Sequence, residues 1–416
     1  MIIEKVELNE MMAEREERAF LQAEMLKECG LPLVSLSMNI AGDIKSTPGI
    51  EFMFREGLKR FEDAVGAEPV RKTVRLGKCG PHALMCYDLP AQFLKDTALR
   101  VEERLFDFDV IGTDGVKLSR PEARRCIVCG GPVTVCSRSR AHGLDVIKEV
   151  TNELIIRYLS AIAAEMAVEA LKEEARLTPK PGLVDSANNG AHKDMDLGMF
   201  LDSAEVLSEH FMRFFVIGAH GDDCIDELIC EGIKAEEAML AATGGVNTHK
   251  GAVFSFALTL AAFGAYAMRG GVLQDRIKKL ARDKELRGVS EGTHKGGRAL
   301  EEALKGYPLA FKAAEILAVS DAYRALCSIM AELTDSNLLY RGGEEALAFV
   351  QSESRRLLAQ PGGLKEGFAE LDRVLIQKNL SPGGAADTLA LALLLEKLHI
   401  LASDLSQEAE HEIFKQ

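Results

Sequence analysis

The chain has 416 residues, 47% of them hydrophobic and 27% charged, which is the balance of an ordinary soluble globular protein with room for two cores. Its net charge of −14 is uneven: residues 1–148 hold 22 Lys+Arg against 23 Asp+Glu, a balance of −1, and residues 149–416 hold 28 against 41, a balance of −13. So acidic a chain lacks the extended basic face that nucleic acid needs, and nine cysteines without an apolar N-terminal leader fit a reducing cytoplasm rather than a secreted disulfide framework.

Apolar Met12, Phe20, Leu21, Met25 and Leu26 predict a helix over Glu10–Cys29, ended by Gly30 as a C-cap. Leu33–Ile40 alternates apolar and polar residues, as a half-buried strand does, and a loop holding Lys45 follows it. His82–Asp88 and Leu105–Ile111 read as further strands, so residues 1–148 form a mixed α/β domain. Asp107 and Asp109 sit two apart in the last strand and share a face. Something must offset two adjacent carboxylates. Mg²⁺ shared with a phosphate chain is one answer, a solvated strand face the other. Cys126, Cys129, Cys136 and His142 have the ligand types of a structural zinc site at unusually tight spacing; the alternative is a set of small buried residues and free thiols. Around them Lys117, Arg120, Arg124, Arg125, Arg138 and Arg140 form a basic patch fit for a polyphosphate or an acidic protein.

A boundary near Ile147 opens the second domain, residues 149–416, which reads as all-α. Its predicted helices are Glu149–Arg176, Met195–Phe215, Lys234–Ala242, Gly251–Met268, Leu309–Thr334, Leu364–Gln377 and Ala385–Leu405. Gly251–Met268 is uncharged, but it is a lone segment of marginal length rich in Gly and Ala, so a central buried helix is expected and no membrane partner. Between the helices stand four stretches that join glycines to functional side chains. The first, Leu177–His192, is stiffened by Pro179 and Pro181 and presents Lys180, Gly182, Asp185, Asn188, Asn189 and His192. Gly244–Gly251 places Asn247, Thr248, His249, Lys250 and Gly251 at a helix N-terminus, a natural phosphate site. Asp335–Gly343 carries Arg341, Gly342 and Gly343; Leu380–Asp387 carries Ser381, Gly383, Gly384 and Asp387. Four such loops on one helical scaffold point to a common pocket, with Asp185, His192, Asp194, Asp196 and Asp387 as acid, base or metal candidates.

The strings L-T-P-K-P-G-L-V-D-x-x-N-N-G-A-H-x-D-M-D, G-V-N-T-H-K-G, D-x-N-x-x-x-R-G-G and L-S-P-G-G-x-A-D resemble the triphosphoribosyl-dephospho-CoA synthase family of citrate lyase maturation. The first domain, with N-I-x-G-x-I-K-x-x-P, L-F-D-F-D-V, L-S-R, C-x-x-C and C-S-R-S-R-x-H, is similar to the citrate lyase holo-acyl-carrier-protein synthases, which are phosphoribosyl-dephospho-CoA transferases. Gly292–Ala303 looks like a shortened form of a loop in the first family. The resemblance implies a bifunctional transferase, with a nucleotidyltransferase-like α/β domain followed by an all-α domain. Its substrates would be ATP and 3′-dephospho-CoA, with Mg²⁺, and its protein partner the acyl carrier (gamma) subunit of citrate lyase. It further implies that Lys180, His249, Lys250 and Arg341 hold the triphosphate, with glycines beside them allowing close backbone approach, and that Asp185 and Asp194 hold Mg²⁺ or stabilise an oxocarbenium-like centre. In the first domain, Asp107 and Asp109 would hold Mg²⁺, and Arg104, Arg120 and Arg138 the phosphates. Two other readings fit the bare residues: a helical ribosyl hydrolase, and a non-catalytic carrier-protein chaperone.

Overall fold

The computed structural model describes residues 3–286, 294–360 and 362–403. The chain divides into two compact units, one running to Leu159 and including Tyr266–Gly271, the other comprising Ser160–Ala265 and Val272–Ser403.

In the first unit α1 (Leu8–Cys29) ends at Gly30, whose φ of 64° is the left-handed turn that glycine adopts freely; its N–H returns to the Leu26 carbonyl at 3.0 Å. Then come β1 (Leu33–Met38), α2 (Pro48–Val65), β2 (Arg71–Arg75), β3 (His82–Cys86), α3 (Ala91–Val101), β4 (Phe106–Ile111) and α4 (Val133–Ser139). The strands form one antiparallel sheet in the order β2-β3-β1-β4. Three of them are the strands that alternation predicts, with ends trimmed by one or two residues. β2 escapes that test because its sequence, Arg-Lys-Thr-Val-Arg, is charged and its residues are at best half-buried, as an edge strand allows. Thr47 caps α2 by accepting the Ile50 N–H at 3.2 Å. Phe54, Leu58 and Phe61 of that helix are buried, and a Cβ on Gly57 would stand 2.4 Å from the Phe106 ring, so helix and sheet approach more closely there than any side chain permits. β4 alternates buried Phe106, Phe108 and Val110 with part-exposed Asp107 and Asp109, which brings both carboxylates to one face.

α5 (Leu144–Arg176) starts five residues before the predicted Glu149, and the division between the units falls within it. Beyond it lie α6 (Leu197–Val206), α7 (Ser208–His220), α8 (Ile225–Ala242), α9 (Lys250–Arg269), α10 (Leu273–Leu286), α11 (His294–Lys305), α12 (Pro308–Leu317), α13 (Ala322–Glu332), α14 (Ser336–Leu358), α15 (Leu364–Gln377) and α16 (Gly383–Ser403). No strand occurs among the described residues after Ile111. Two predicted helices are each a pair: Met195–Phe215 breaks at Leu207, and Leu309–Thr334 breaks between Leu317 and Asp321, where Asp321 accepts the Arg324 N–H at 2.9 Å and caps α13. Gly292, Thr293, Asp404 and Leu405, all within predicted features, lie outside the described residues. α9 is long and apolar enough to cross a membrane by composition, yet 78% of its most apolar window is buried inside the protein, as a core helix requires.

The more consequential correction concerns two of the four glycine-bearing stretches, since Leu177–His192 forms no helix and Gly244–Gly251 leads into a helix N-terminus as expected. Asp335–Gly343 is not a loop but the opening of α14, capped by Asp335 and interrupted at Gly343, whose φ of 66° and ψ of −164° are outside helical values. Gly383–Asp387 likewise opens α16, and Lys250 opens α9. Glycine beside polar residues predicts a loop, whereas in Asp335–Gly343 and Gly383–Asp387 it marks helix N-termini where backbones pack closely.

Candidate functional site

In the first unit a cleft of about 1180 Å³ is lined by Asp107, Asp109, Arg104, Arg120, Lys117 and Arg124, among others. Lys45 and Arg138 do not line it: Lys45 donates to the Ile40 carbonyl, and Arg138 is exposed on α4. The carboxylate pair is offset by side chains. Asp107 accepts from Arg124 at 2.6 Å, and Asp109 pairs with Lys117. Glu102 accepts both terminal nitrogens of Arg120 and, at 2.7 Å, Arg124. Arg124 therefore bridges Glu102 and Asp107 and also reaches the Phe106 carbonyl at 3.0 Å. Lys95, 2% exposed, lines the same cleft; burial holds its ammonium below the usual lysine range, with Arg120 acting in the same direction.

In the second unit the four stretches meet. The Lys180 ammonium donates to Glu174 at 2.6 Å, and their side chains are 2% and 4% exposed. Asp185, buried, accepts backbone N–H groups of Lys180, Ala187 and Asn188 at 2.8, 2.7 and 3.0 Å, so its oxygens hold the strap in shape. Asp372, on α15, ties the same strap from outside by accepting the Gly182 N–H at 2.8 Å and the Asn188 amide at 2.9 Å. Gly182 is needed twice: its φ is 69°, and a Cβ would lie 2.3 Å from the Leu380 carbonyl. His192 Nε2 is 2.9 Å from Ser381 Oγ, and Arg341 lies 3.5 Å from His192 Nδ1 while donating to the carbonyls of Ala191 and Asn379 at 3.0 and 3.3 Å. Burial, then the Arg341 charge, pushes the His192 imidazole down.

The end of α9 completes the arrangement. Asn247 caps it by accepting the Lys250 N–H at 3.1 Å, and Lys250 pairs with Glu236 at 3.0 Å. His249 is 3% exposed; its Nδ1 is 2.8 Å from Ser203 Oγ, which also accepts from Thr248 at 2.9 Å, while Nε2 is buried with no hydrogen-bond partner. Burial, reinforced by the Lys180 charge, lowers its pKa to about 3, so the ring is neutral at physiological pH. Gly251 lies against Asp387: a Cβ there would come 2.0 Å from Asp387 Oδ2. Asp387 keeps some accessible surface but is packed densely enough that desolvation, with Glu174 and Asp335 adding repulsion, raises its pKa to about 8. Asp335, buried at the cap of α14, also accepts the Ala385 N–H at 2.9 Å, so one carboxylate fastens the starts of α14 and α16 together. Asn189, Asp194 and Asp196 are exposed at the rim, and Asp196 caps α6 by accepting the Met199 N–H at 3.0 Å.

Comparison with known proteins bears on both units. Residues 160–287 and 273–404 match the family described as ATP:dephospho-CoA triphosphoribosyl transferase, and residues 6–158 match that described as apo-citrate lyase phosphoribosyl-dephospho-CoA transferase. This chain belongs to the triphosphoribosyl transferase family. With the second match ahead of the first, it is a fused bifunctional transferase of citrate lyase prosthetic-group biosynthesis. "Protein CitXG" of Haemophilus influenzae is 29% identical, with 94% of this chain and 96% of the relative aligned. The 2-(5″-triphosphoribosyl)-3′-dephosphocoenzyme-A synthase of Haemophilus ducreyi is 35% identical over 64% of this chain and 98% of its own length; that of Pectobacterium atrosepticum is 37% identical over 60% and 93%.

Several side chains that the fold brings to these two candidate sites are not found by the motifs. Glu174 and Lys95 look like exposed helix charges, but each stands at helical spacing on an apolar face, three residues after Leu171 in one case and three before Ala98 in the other, a usable signal. Asp335 precedes its helix as a cap residue should. Ser203 and Asp372 carry no local signal, since their partners are 46 and 190 residues away.

Proposed function

We propose that the helical unit joins ATP to 3′-dephospho-CoA through the ATP ribose. The 2′-hydroxyl oxygen of dephospho-CoA bonds to the anomeric carbon, the carbon–nitrogen bond to adenine breaks, and adenine leaves with one proton, made good by the proton that the hydroxyl gives up. The observation that carries this reading is the convergence of Lys180, His192, His249, Arg341 and Asp387 from four separate stretches onto one set of contacts. Asp387, protonated below about pH 8, is the group we assign to protonate departing adenine. Arg341 is our choice for the triphosphate because all its hydrogen-bond partners are uncharged, with Lys250 and the Gly251, Gly342, Gly383 and Gly384 backbones beside it. Neutral His249 would serve as a hydrogen-bond partner rather than a charge. The three N–H bonds to Asp185 favour a scaffolding role over the metal-binding one that the resemblance implies.

The N-terminal domain, placed by the sequence reading at residues 1–148 and of nucleotidyltransferase type, would then direct a serine hydroxyl of the citrate lyase acyl carrier protein at the α-phosphorus of the product, with diphosphate leaving. Asp107 and Asp109 are the pair fitted to hold Mg²⁺, which would supply charge for the departing diphosphate. Arg124 and Lys117 now rest on those carboxylates and, once released, would turn to the phosphates. Arg104, Arg120 and buried Lys95 complete that cleft. The cytoplasm is the compartment we assign to both reactions.

Mass spectrometry after incubation with ATP, 3′-dephospho-CoA, Mg²⁺ and the apo-carrier tests both steps. Free adenine with a carrier heavier by the phosphoribosyl-dephospho-CoA group is expected. Adenine with an unmodified carrier would remove the first domain's role, adenine without an adduct would mean hydrolysis, and no adenine would reject the reading of the helical unit.

A further inference from the structure

Cys126, Cys129, Cys136 and His142 have no part in either reaction, yet the fold gathers them. Their ligand atoms all lie within 4.8 Å of one another, and Cys129 Sγ is 3.5 Å from Cys136 Sγ. The backbone shows how. Cys126 N–H donates to the Gly131 carbonyl at 2.7 Å, Gly130 N–H to the Cys126 carbonyl at 2.9 Å, and Val133 N–H to the Arg124 carbonyl at 3.0 Å, closing a tight hairpin around Cys129. Gly130 turns it at φ 72°. α4 then returns Cys136 over the hairpin, and the turn into α5 supplies His142.

One observation beyond that proximity argues for a metal over a chance cluster. His142 Nε2 is buried without a hydrogen-bond partner, the condition a coordinated or hydrogen-bonded neighbour would relieve. Tetrahedral zinc, with sulfur at roughly 2.3 Å and nitrogen at roughly 2.0 Å, sets ligand atoms roughly 3.5–3.8 Å apart, so these four need only a small contraction. All nine cysteines are free, and a Cys129–Cys136 disulfide would leave Cys126 and His142 without purpose.

We propose that this Cys₃His set binds one structural Zn²⁺. Three thiols lose their protons to solvent on binding and the neutral imidazole gives its lone pair, so no redox partner is required. The role follows from position. The hairpin starts where Arg120, Arg124 and Arg125 line the cleft, and Cys126, Cys136 and His142 line it too. The ion fixes the arm that carries the Arg120 and Arg124 guanidinium groups to Glu102 and Asp107.

The full chain, purified without chelator and assayed for metal by plasma mass spectrometry, is expected to hold one zinc. Cys129→Ser and His142→Ala should lower that content, and Cys230→Ser, exposed and in the other unit, should not. Because a variant can fail to fold, the wild type is also stripped by chelation and given Co²⁺; the strong visible bands of tetrahedral thiolate cobalt are expected. Chain without zinc whose Cys129 and Cys136 are alkylated as fast as Cys230 would overturn the proposal. So would an intact mass two hydrogens light with the Cys129–Cys136 disulfide found in the digest.

Discussion

Replacing Lys180 by Met removes the cation that faces Glu174 at 2.6 Å, where the two side chains are only 2% and 4% exposed. A carboxylate left alone at such burial costs about 3–5 kcal/mol, far more than an exposed pair would. For a unit of this size about 2–4 °C of melting temperature follow each kcal/mol, so the unfolding transition of the helical unit should fall by about 6–20 °C. Glu174→Met should cost a similar amount for the mirror reason. The double replacement Lys180→Met with Glu174→Met exchanges the pair for apolar groups of similar volume and should recover most of the loss. Calorimetry of the four proteins, with adenine release measured on each, separates fold from chemistry: the double variant is expected to be stable and without adenine release. Losses that simply add in the double variant would refute the reasoning, because the two charges would then act independently.

Asp387→Asn should abolish adenine release while flattening the pH dependence of stability. The wild-type carboxyl, with a pKa raised to about 8, contributes stability that is full below the unfolded value of roughly 4 and is lost as pH rises through 8, which urea titrations across that window would detect. His249 has the opposite sign: its depressed pKa, about 3, gives stability present above the ordinary value of roughly 6.5 and lost as pH falls toward 3, a slope that His249→Gln should remove. Gly251→Ala would drive a Cβ to 2.0 Å from Asp387 Oδ2, so loss of adenine release with intact carrier transfer from supplied intermediate is expected. Arg124→Ala leaves Glu102 and Asp107 without their shared cation and should cut carrier transfer at least tenfold while adenine release persists, which coupled assays on the two half-reactions would check.

Local patterns in the sequence reach a long way here, and their limits are physical. Alternation in Phe106–Ile111 predicts both a strand and the shared face of its two carboxylates, because period two is a property of the strand alone. The segment Leu364–Gln377 is a helix with the same ends in sequence and structure. The break at Leu207 is not visible that way: the segment Met195–Phe215 reads as one helix, and only the backbone turn divides it. The four motif stretches of the helical unit are brought together by the fold, but the residues that support them are not in the motifs. Asp372 acts through partners 190 and 184 residues away, and the use of both Asp185 oxygens by three backbone amides depends on a turn conformation that no residue string specifies.

The two strands that border the sheet, β2 and β4, are both heavily charged: Arg71, Lys72 and Arg75 on one, Asp107 and Asp109 on the other. Charges at a border discourage a second sheet from adding itself there. The same aspartates would therefore serve colloidal behaviour as well as the chemistry proposed for them, and an Asp107 or Asp109 substitution to an apolar residue should raise the tendency to self-associate. Activity lost in such a variant has to be read beside its sedimentation profile, and Asn, which stays polar, is the substitution that keeps the two effects apart.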